Sequence, residues 1–214
     1  MTAEDTVAER LAQAALALAH ERGWRDLSLA EAAMRAGVSL ADARECFPDK
    51  GALLAWLMGA SDRHALAQGR ADAEETPRDR LFEVLMRRFD ALQTRREGLV
   101  AILRGLPGDP LPAACLLPRF AVSIAWMLEA AGISASGPLG TLRVNAIAAV
   151  YLSTLRVWLE DDSADMARTM AALDSGLRRI EQLGRGLPGP LRRAAFGEAP
   201  VPFATEAPPP EAAA

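Results

Sequence analysis

The sequence predicts an all-α protein, and three observations support this prediction. The chain is rich in alanine and only 5% aromatic, and runs of β-branched residues are scarce, which favours helices over strands. No stretch alternates polar and apolar residues for long enough to indicate a strand. Signals that begin and end helices, in contrast, recur along the whole chain.

The first predicted helix begins near Glu4 and ends at Gly23. Its apolar residues recur at helical spacing and predict one buried face, formed by Leu11, Ala15, Leu18 and Ala19. An acidic N-terminus precedes this face. It lacks the basic region and the apolar run of a secretory signal.

Two short helices follow, each predicted from a capping box. Ser28 stands three residues before Glu31, and Ser39 stands three residues before Asp42. Gly37 ends the first of them, because glycine readily adopts the left-handed conformation after a helix. Two capped helices joined by a four-residue turn indicate a helix-turn-helix, whose second helix would enter the major groove of DNA. The alternative is a simple helical corner, which needs a similar turn.

Two longer helices come next. The first is predicted over residues 49–69. The second begins after Thr76, where Pro77 occupies the first helical position and Asp79 the third. Its apolar face consists of Phe82, Leu85, Met86, Phe89 and Leu92.

Three further helices are predicted after a turn-rich break at residues 105–112. They cover residues 113–131, with a bend near Pro118, residues 137–159, and a last helix capped by Ser163. The helix over 137–159 is apolar nearly all round and is expected to be central. The last helix has a narrow apolar seam that suits either the core of a monomer or a dimer interface, formed by Met166, Met170, Leu173, Leu177 and Ile180.

We therefore divide the chain into a helix-turn-helix domain (residues 1–58), a helical domain (59–186) and a proline- and alanine-rich tail (187–214) that we expect to be disordered. The formal net charge is −4, so the sequence does not carry the strong positive charge of many nucleic-acid-binding proteins. No apolar run is long enough to span a bilayer. These features predict a cytoplasmic protein without a transmembrane segment.

Residues 14–57 resemble the N-terminal domain of the TetR family of bacterial transcriptional regulators. The resemblance rests on the amphipathic first helix, Trp24 after the glycine, the turn AGVS, and a closing Phe-Pro-x-Lys-x-x-Leu-Leu. It implies a TetR-like fold, a homodimer through the last two helices, and a repressor that a small apolar effector releases from its operator. By the same resemblance, Ser28, Ser39 and Lys50 would contact DNA phosphates, and Ala41 would lie near the bases.

The predicted recognition helix departs from the family pattern in its charge. Leu40 stands where a polar or basic residue is common, and Glu45 brings a carboxylate towards a polyanion. Arg44 is the residue expected to read bases, because a guanidinium suits guanine. Since residues 1–60 hold six basic and nine acidic side chains, we expect weak DNA binding at physiological salt.

Residues 141–183 show a second resemblance, to the lipid-binding accessory proteins of ubiquinone biosynthesis. It rests on Trp158-Leu-x-Asp-Asp-Ser and the following Met-Ala-Ala-Leu-Asp. Those proteins share the TetR fold but present an isoprenoid lipid to enzymes. The resemblance therefore implies an alternative function, a lipid-binding accessory protein that has lost DNA binding.

Large apolar side chains on the two most apolar helices form either plain core or a pocket for a small apolar ligand or lipid: Phe120, Trp126, Met127, Tyr151 and Trp158. Few charges lie on these faces, so any ligand is expected to be mostly apolar. We predict no catalytic residues, no cofactor and no metal site, because His20 and His64 lack partners at ligand spacing. The acidic run at residues 160–162 is interpreted as solvated carboxylates in a turn.

Overall fold

The computed structural model describes residues 3–69 and 74–185. These residues form helices and contain no β-strand, which confirms the predicted all-α class. The helices are α1 (Ala3–Arg22), α2 (Leu29–Ala36), α3 (Leu40–Cys46), α4 (Lys50–Ala67), α5 (Pro77–Gln93), α6 (Arg96–Gly105), α7 (Pro110–Ala130), α8 (Gly137–Trp158) and α9 (Ala167–Arg185). The predicted tail lies outside the described residues.

Helices α1, α2 and α3 pack together as an N-terminal unit. The predicted apolar face of α1 is buried, and Trp24 and Phe47 are buried with it in the core. The boundary predicted between residues 58 and 59 falls inside α4, which runs on to Ala67 and packs against α5 and α7. The N-terminal unit is therefore joined to the bundle by a continuous helix.

The break predicted at residues 105–112 is shorter in the structure. The separate helix α6 was not predicted, a 3₁₀ turn covers Leu106–Gly108, and α7 begins at Pro110. Helix α7 continues through Pro118 to Ala130. Only four residues therefore separate α6 from α7, although the glycines and prolines of residues 105–112 predict a longer break.

Helix α6 lies directly against the N-terminal unit. A Cβ atom added to Gly98 would be 2.7 Å from both Cβ and the carbonyl oxygen of Leu16, and one added to Gly105 would be 2.5 Å from Cβ of Trp24. Both distances are shorter than side chains tolerate, so glycine is what allows α6 to approach α1 this closely. The two glycines are seven residues apart and share one face of α6.

Helices α8 and α9 pack against each other. The predicted seam of α9 packs inward: Leu173 and Leu177 are buried in the single chain, and Ile180 packs against the core. The expectation that α8 is central all round is wrong. Its buried residues occupy one face, while Leu142 and Leu152 are exposed on another.

None of the helices in the described part of the chain combines the length and apolar character needed to cross a bilayer.

Candidate nucleic-acid interface and bundle interior

The helix-turn-helix is fixed by the caps that the sequence predicts. The hydroxyl oxygen of Ser28 accepts a hydrogen bond from the Glu31 amide at 3.4 Å, and that of Ser39 accepts one from the Asp42 amide at 3.1 Å. Gly37 adopts a left-handed φ of 63° and ends α2. These contacts satisfy amides at the first turns of α2 and α3, and Gly37 allows the chain to turn between them.

The recognition helix α3 presents an exposed surface of mixed character. Leu40, Ala41, Arg44 and Glu45 are all exposed, as direct contact with base edges requires. The Ser39 hydroxyl donates to the Asp42 carboxylate at 2.7 Å, so this acidic side chain is turned towards its own capping box. Arg44 and Glu45 are exposed beside Asp42, so α3 presents one positive and two negative side chains.

Lys50 holds the N-terminal unit together. Its ammonium donates to the carbonyl oxygens of Trp24 at 2.9 Å and Arg25 at 3.1 Å, and lies 5.0 Å from the Trp24 ring centroid. These contacts tie the start of α4 to the turn after α1. A phosphate contact by Lys50 would compete with them.

Arginines of the N-terminal unit are largely engaged within it. Arg22 pairs with Glu31 at 2.7 Å, and Arg35 forms two contacts with Glu21 at 2.6 and 2.7 Å. The hydrogen bonds from Arg35 hold the pKa of Glu21 below its usual value. The guanidinium of Arg10 donates to the carbonyl oxygens of Ala36 and Gly37. Little positive charge is thus left for DNA phosphates.

Two of the five predicted pocket residues, Met127 and Tyr151, are buried in the bundle, and Phe120 packs half-buried against Tyr151. Tyr151 is buried, its ring stacks on Phe89 with centroids 4.8 Å apart, and Phe120 lies 5.8 Å from it. Met127 is fully buried. The ring contacts of Phe89, Phe120 and Tyr151 bring α5, α7 and α8 together around one aromatic cluster.

The two predicted tryptophans lie elsewhere. Trp158 is fully buried, but its indole N–H donates to Gln93 and the Arg96 guanidinium lies 4.8 Å over its ring, at the end of α8. Trp126 is 60% exposed on α7 and does not join the cluster. The structure therefore buries Met127, Tyr151 and Trp158, leaves Phe120 half-buried against Tyr151, and exposes Trp126.

A charged pair lies beside the aromatic cluster, and sequence reasoning missed it. Arg88 on α5 is only 3% exposed, and its Nε lies 2.9 Å from a carboxylate oxygen of Asp62 on α4. The Ser123 hydroxyl donates to the same oxygen at 2.9 Å. The Arg88 guanidinium stacks over Tyr151 at 4.5 Å. Arg88 lies next to Phe89 and three residues after Leu85, which places it on the buried face of α5. This position is the sequence signal from which its burial could have been predicted.

Polar groups near this pair are incompletely satisfied. Among the described residues, Nε and Nη1 of Arg88 and the hydroxyl of Thr154 are buried without a hydrogen-bond partner. The Arg88–Asp62 contact is therefore held by charge, not by an aligned hydrogen bond. Burial also raises the pKa of Tyr151, which keeps this phenol neutral.

The acidic turn after α8 differs from the prediction of three solvated carboxylates. Asp161 is fully buried, and its two oxygens accept hydrogen bonds from the amides and hydroxyls of Ser163 and Thr169. Burial opposes ionisation, but these hydrogen bonds outweigh it and hold the pKa of Asp161 well below its usual range. The Ser163 hydroxyl also accepts from the first amide of α9, as its predicted capping role requires.

An open groove of about 430 Å³ lies between α5 and the start of α9. Its apolar lining is Phe82, Met86, Met166 and Met170. Its polar lining consists of the carboxylates Glu75, Asp79, Glu83, Asp90 and Asp165. Within the described ranges, no cluster of three or more histidine, cysteine, aspartate or glutamate side chains suits a metal ion.

A capped helix-turn-helix unit joined to a helical bundle is the architecture of TetR-family transcriptional regulators, and solved structures confirm this fold. A TetR regulator from Nitrosomonas europaea matches with a TM-score of 0.66 and 22% identity, over 82% of this chain and 98% of that one. A TetR regulator from Rhodococcus sp. RHA1 matches with a TM-score of 0.57 and 21% identity, over 82% of this chain and 96% of that one. A TetR-family regulator from Streptomyces coelicolor matches with a TM-score of 0.57 and 22% identity, over 95% of this chain and 94% of that one.

The COQ9 family model matches residues 143–184, from the second turn of α8 to the end of α9. This match confirms the second resemblance, and it includes the buried Asp161. No curated protein matches the chain significantly. The chain therefore has a TetR-like fold whose last two helices are similar in sequence to COQ9.

Proposed function

We propose that this protein is a homodimeric, TetR-type transcriptional regulator that binds an operator through α3 and is released by a small, mostly apolar effector in the bundle. The observation that carries the proposal is the helix-turn-helix, with both caps formed and the outer face of α3 exposed. Such a helix is placed to enter the major groove.

Arg44 is the residue we assign to base contact. It is exposed on α3 and carries a guanidinium suited to guanine, while Ser28, Ser39, Leu40, Ala41, Glu45 and Lys50 complete the proposed surface. Because most other arginines of the N-terminal unit are paired internally, phosphate neutralisation is limited. Operator binding is therefore expected to depend strongly on dimerisation, which doubles the phosphate contacts.

The dimer is proposed to form through the exposed faces of α8 and α9. Leu173 and Leu177 of the α9 seam are buried within one chain, so the proposed interface uses other residues. Leu142 and Leu152 lie on the outer face of α8 and supply apolar surface there. This arrangement makes the spacing of the two recognition helices depend on the bundle, so an effector inside it changes DNA affinity by population shift.

The test is fluorescence anisotropy with DNA from upstream of the protein's own gene and a scrambled duplex as control, between about 50 and 200 mM salt. We expect sequence-preferring binding that weakens with salt. Arg44→Ala should weaken it by about 1–3 kcal/mol, whereas Arg179→Ala, an exposed arginine on α9, should leave it unchanged. Equal affinity for both duplexes at every salt concentration would exclude the regulator.

The second candidate is a lipid-binding accessory protein that keeps the fold without binding DNA. The COQ9 match and the exposed Glu45 on α3 favour it. This candidate predicts that the purified protein carries an extractable isoprenoid or phospholipid and binds neither duplex at 50 mM salt. The anisotropy and an organic extract of the same preparation therefore separate the two functions.

A further inference from the structure

The open groove between α5 and the start of α9, here called the α5–α9 groove, combines an apolar lining with an acidic one. Three methionines and one phenylalanine form the apolar lining, and all five charged residues of the groove are carboxylates. Methionine side chains are unbranched and adapt their shape to what binds on them. A groove of this kind suits an apolar segment that carries positive charge.

The carboxylates of the groove are only partly balanced by cations. Asp79 pairs with Arg78 at 2.7 Å, and Glu83 pairs with Arg87 at 2.5 Å. Within residues 3–69 and 74–185, the other three carboxylates of the groove make no ion pair: Glu75, Asp90 and Asp165. Three negative charges are therefore left for a partner.

The chain continues beyond α9 with a segment of complementary composition. Residues 186–197, which lie outside the described residues, include Arg192 and Arg193 and no acidic residue. Their large apolar side chains are Leu187, Leu191 and Phe196. Arginine suits an acidic apolar groove, because its guanidinium binds carboxylates in a bidentate way and its stem packs on apolar surface. In a chain of net charge −4, this segment reverses the prevailing sign.

The groove lies within reach of the residue at which α9 ends. Nη1 of Arg78, at the start of α5, lies 3.7 Å from a carboxylate oxygen of Asp174 on α9, and the groove residue Met170 lies one turn nearer the start of α9. Asp174 and Met170 precede Arg185, the last residue of α9, by eleven and fifteen residues. At 1.5 Å per residue, these stretches of helix are about 16 and 22 Å long.

The segment after α9 is long enough to turn back to the groove. An extended chain advances about 3.3 Å per residue, so Leu191 can lie up to about 20 Å from Arg185, and Phe196 up to about 36 Å. Leu191 therefore reaches the level of Asp174. Phe196 reaches the level of Met170, with length left for the chain to reverse its direction.

We propose that residues 186–197 bind in the α5–α9 groove of the same chain, with Arg192 and Arg193 against its unpaired carboxylates and Leu191 and Phe196 on its methionines. This inference goes beyond the proposed function, and it applies to both candidate functions. It does not depend on operator binding, so the two stand or fall separately. Any other molecule that binds this groove must first displace the segment.

Methionine oxidation in the full-length chain tests the proposal, because hydrogen peroxide reacts faster with an exposed sulfur atom. Met86 and Met170 report on the groove, and Met34, which is 73% exposed on α2, is the internal reference. Arg192→Glu combined with Arg193→Glu replaces attraction by repulsion. We expect this double variant to oxidise Met86 and Met170 at least about threefold faster than wild type, with Met34 unchanged, because a bound segment shields the groove in proportion to its occupancy. Peptide mass spectrometry measures the rates.

Two further variants separate binding in the groove from a general effect of charge. Arg25→Glu combined with Arg119→Glu makes the same change at two exposed arginines that do not line the groove, and it should leave all three rates at wild-type values. Glu75→Arg and Asp90→Arg, added to the double variant, reverse the charge of the groove at two exposed positions. This combination should bring the rates back to within about twofold of wild type, as expected for residues in contact.

Each outcome supports or overturns the proposal. Wild-type rates at Met86 and Met170 in the double variant would overturn it and leave the groove to a partner outside the chain. Faster oxidation that the reversed groove does not correct would also overturn it, because contact with these carboxylates would then be absent.

A mixing experiment identifies the chain that supplies the segment. Isotope-labelled double variant is mixed with excess unlabelled wild type, and the labelled Met86 and Met170 are followed. They should remain fast to oxidise, because each segment occupies the groove of its own chain. Their protection by wild type would assign the groove to the segment of a second copy and refute binding within one chain.

Discussion

Replacing Asp161 by asparagine should strongly destabilise the protein. One carboxylate oxygen accepts from the amide and hydroxyl of Ser163, and the other accepts from the amide and hydroxyl of Thr169 at 2.8 and 2.7 Å. An asparagine side chain has a single acceptor oxygen, so its NH₂ group must face two donors. Thr169 is fully buried, and water does not replace the lost partner there.

The magnitude follows from the bonds that are lost. Each hydrogen bond to a charged group contributes about 1.5–3 kcal/mol. Losing two such bonds, with partial relaxation, should lower the free energy of unfolding by about 3 kcal/mol. For a chain of this length, this corresponds to a fall of roughly 6–12 °C in the melting temperature. Asp162→Asn is the matched control, because the Asp162 side chain is 97% exposed, and its change should stay within about 0.5 kcal/mol.

The pH dependence provides an independent check. The folded-state pKa of Asp161 is depressed, so its charge stabilises the protein fully above the unfolded-state pKa of about 4 and loses this effect as the pH falls towards the folded-state pKa. The difference in stability between wild type and Asp161→Asn should therefore be constant near neutral pH and shrink below about pH 4. Chemical denaturation at several pH values measures it. Equal stabilities of the Asp161→Asn and Asp162→Asn variants at pH 7 would refute the reasoning.

Three further predictions concern packing, association and the interior. Gly98→Ala should lower the free energy of unfolding by about 1–2 kcal/mol, because the new methyl group meets the backbone of α1. The control is Gly59→Ala on α4, where the nearest atom is 3.6 Å from the added methyl group, and it should raise the free energy of unfolding by up to about 1 kcal/mol. Chemical denaturation measures both changes. Leu152→Glu should convert the proposed dimer to a folded monomer in light scattering, while Leu117→Glu, exposed on α7, should not. Thr154→Val should raise the melting temperature of the ligand-free protein, because it removes a buried hydroxyl without a hydrogen-bond partner and so stabilises the fold by about 1 kcal/mol. A lower melting temperature would contradict the view that this hydroxyl is unsatisfied. Thr141→Val, at an exposed position of α8, is the control and should change the melting temperature little.

Local signals explain why much of the fold was predictable. The caps at Ser28, Ser39 and Thr76 act on amides within three residues, so the sequence alone specifies where α2, α3 and α5 begin. Gly37 ends α2 for a similarly local reason. Helix α6 was missed because its first turn has no side-chain cap and its face is shaped by α1, far away in sequence.

The candidate sites were less predictable because they depend on contacts between distant residues. Arg88 is buried by a carboxylate on α4 and rings on α7 and α8, none of which is visible from its sequence neighbours. Asp161 similarly appears in the sequence as one of three acidic residues in a turn, yet Thr169 draws it into the interior. Trp126 is a large apolar residue of the kind expected in a core, but its position on α7 leaves it exposed to solvent.

The glycine face of α6 makes the contact between α6 and the N-terminal unit rigid. Side chains between two helices normally act as a compliant layer that absorbs small displacements by changing rotamers. At Gly98 and Gly105 α6 contributes no side chain to that layer, and its backbone lies directly against Leu16 and the side chain of Trp24. Because close-packed contacts transmit strain instead of dissipating it, a sub-ångström shift of α6 should pass undiminished to α1 and the helices that pack on it.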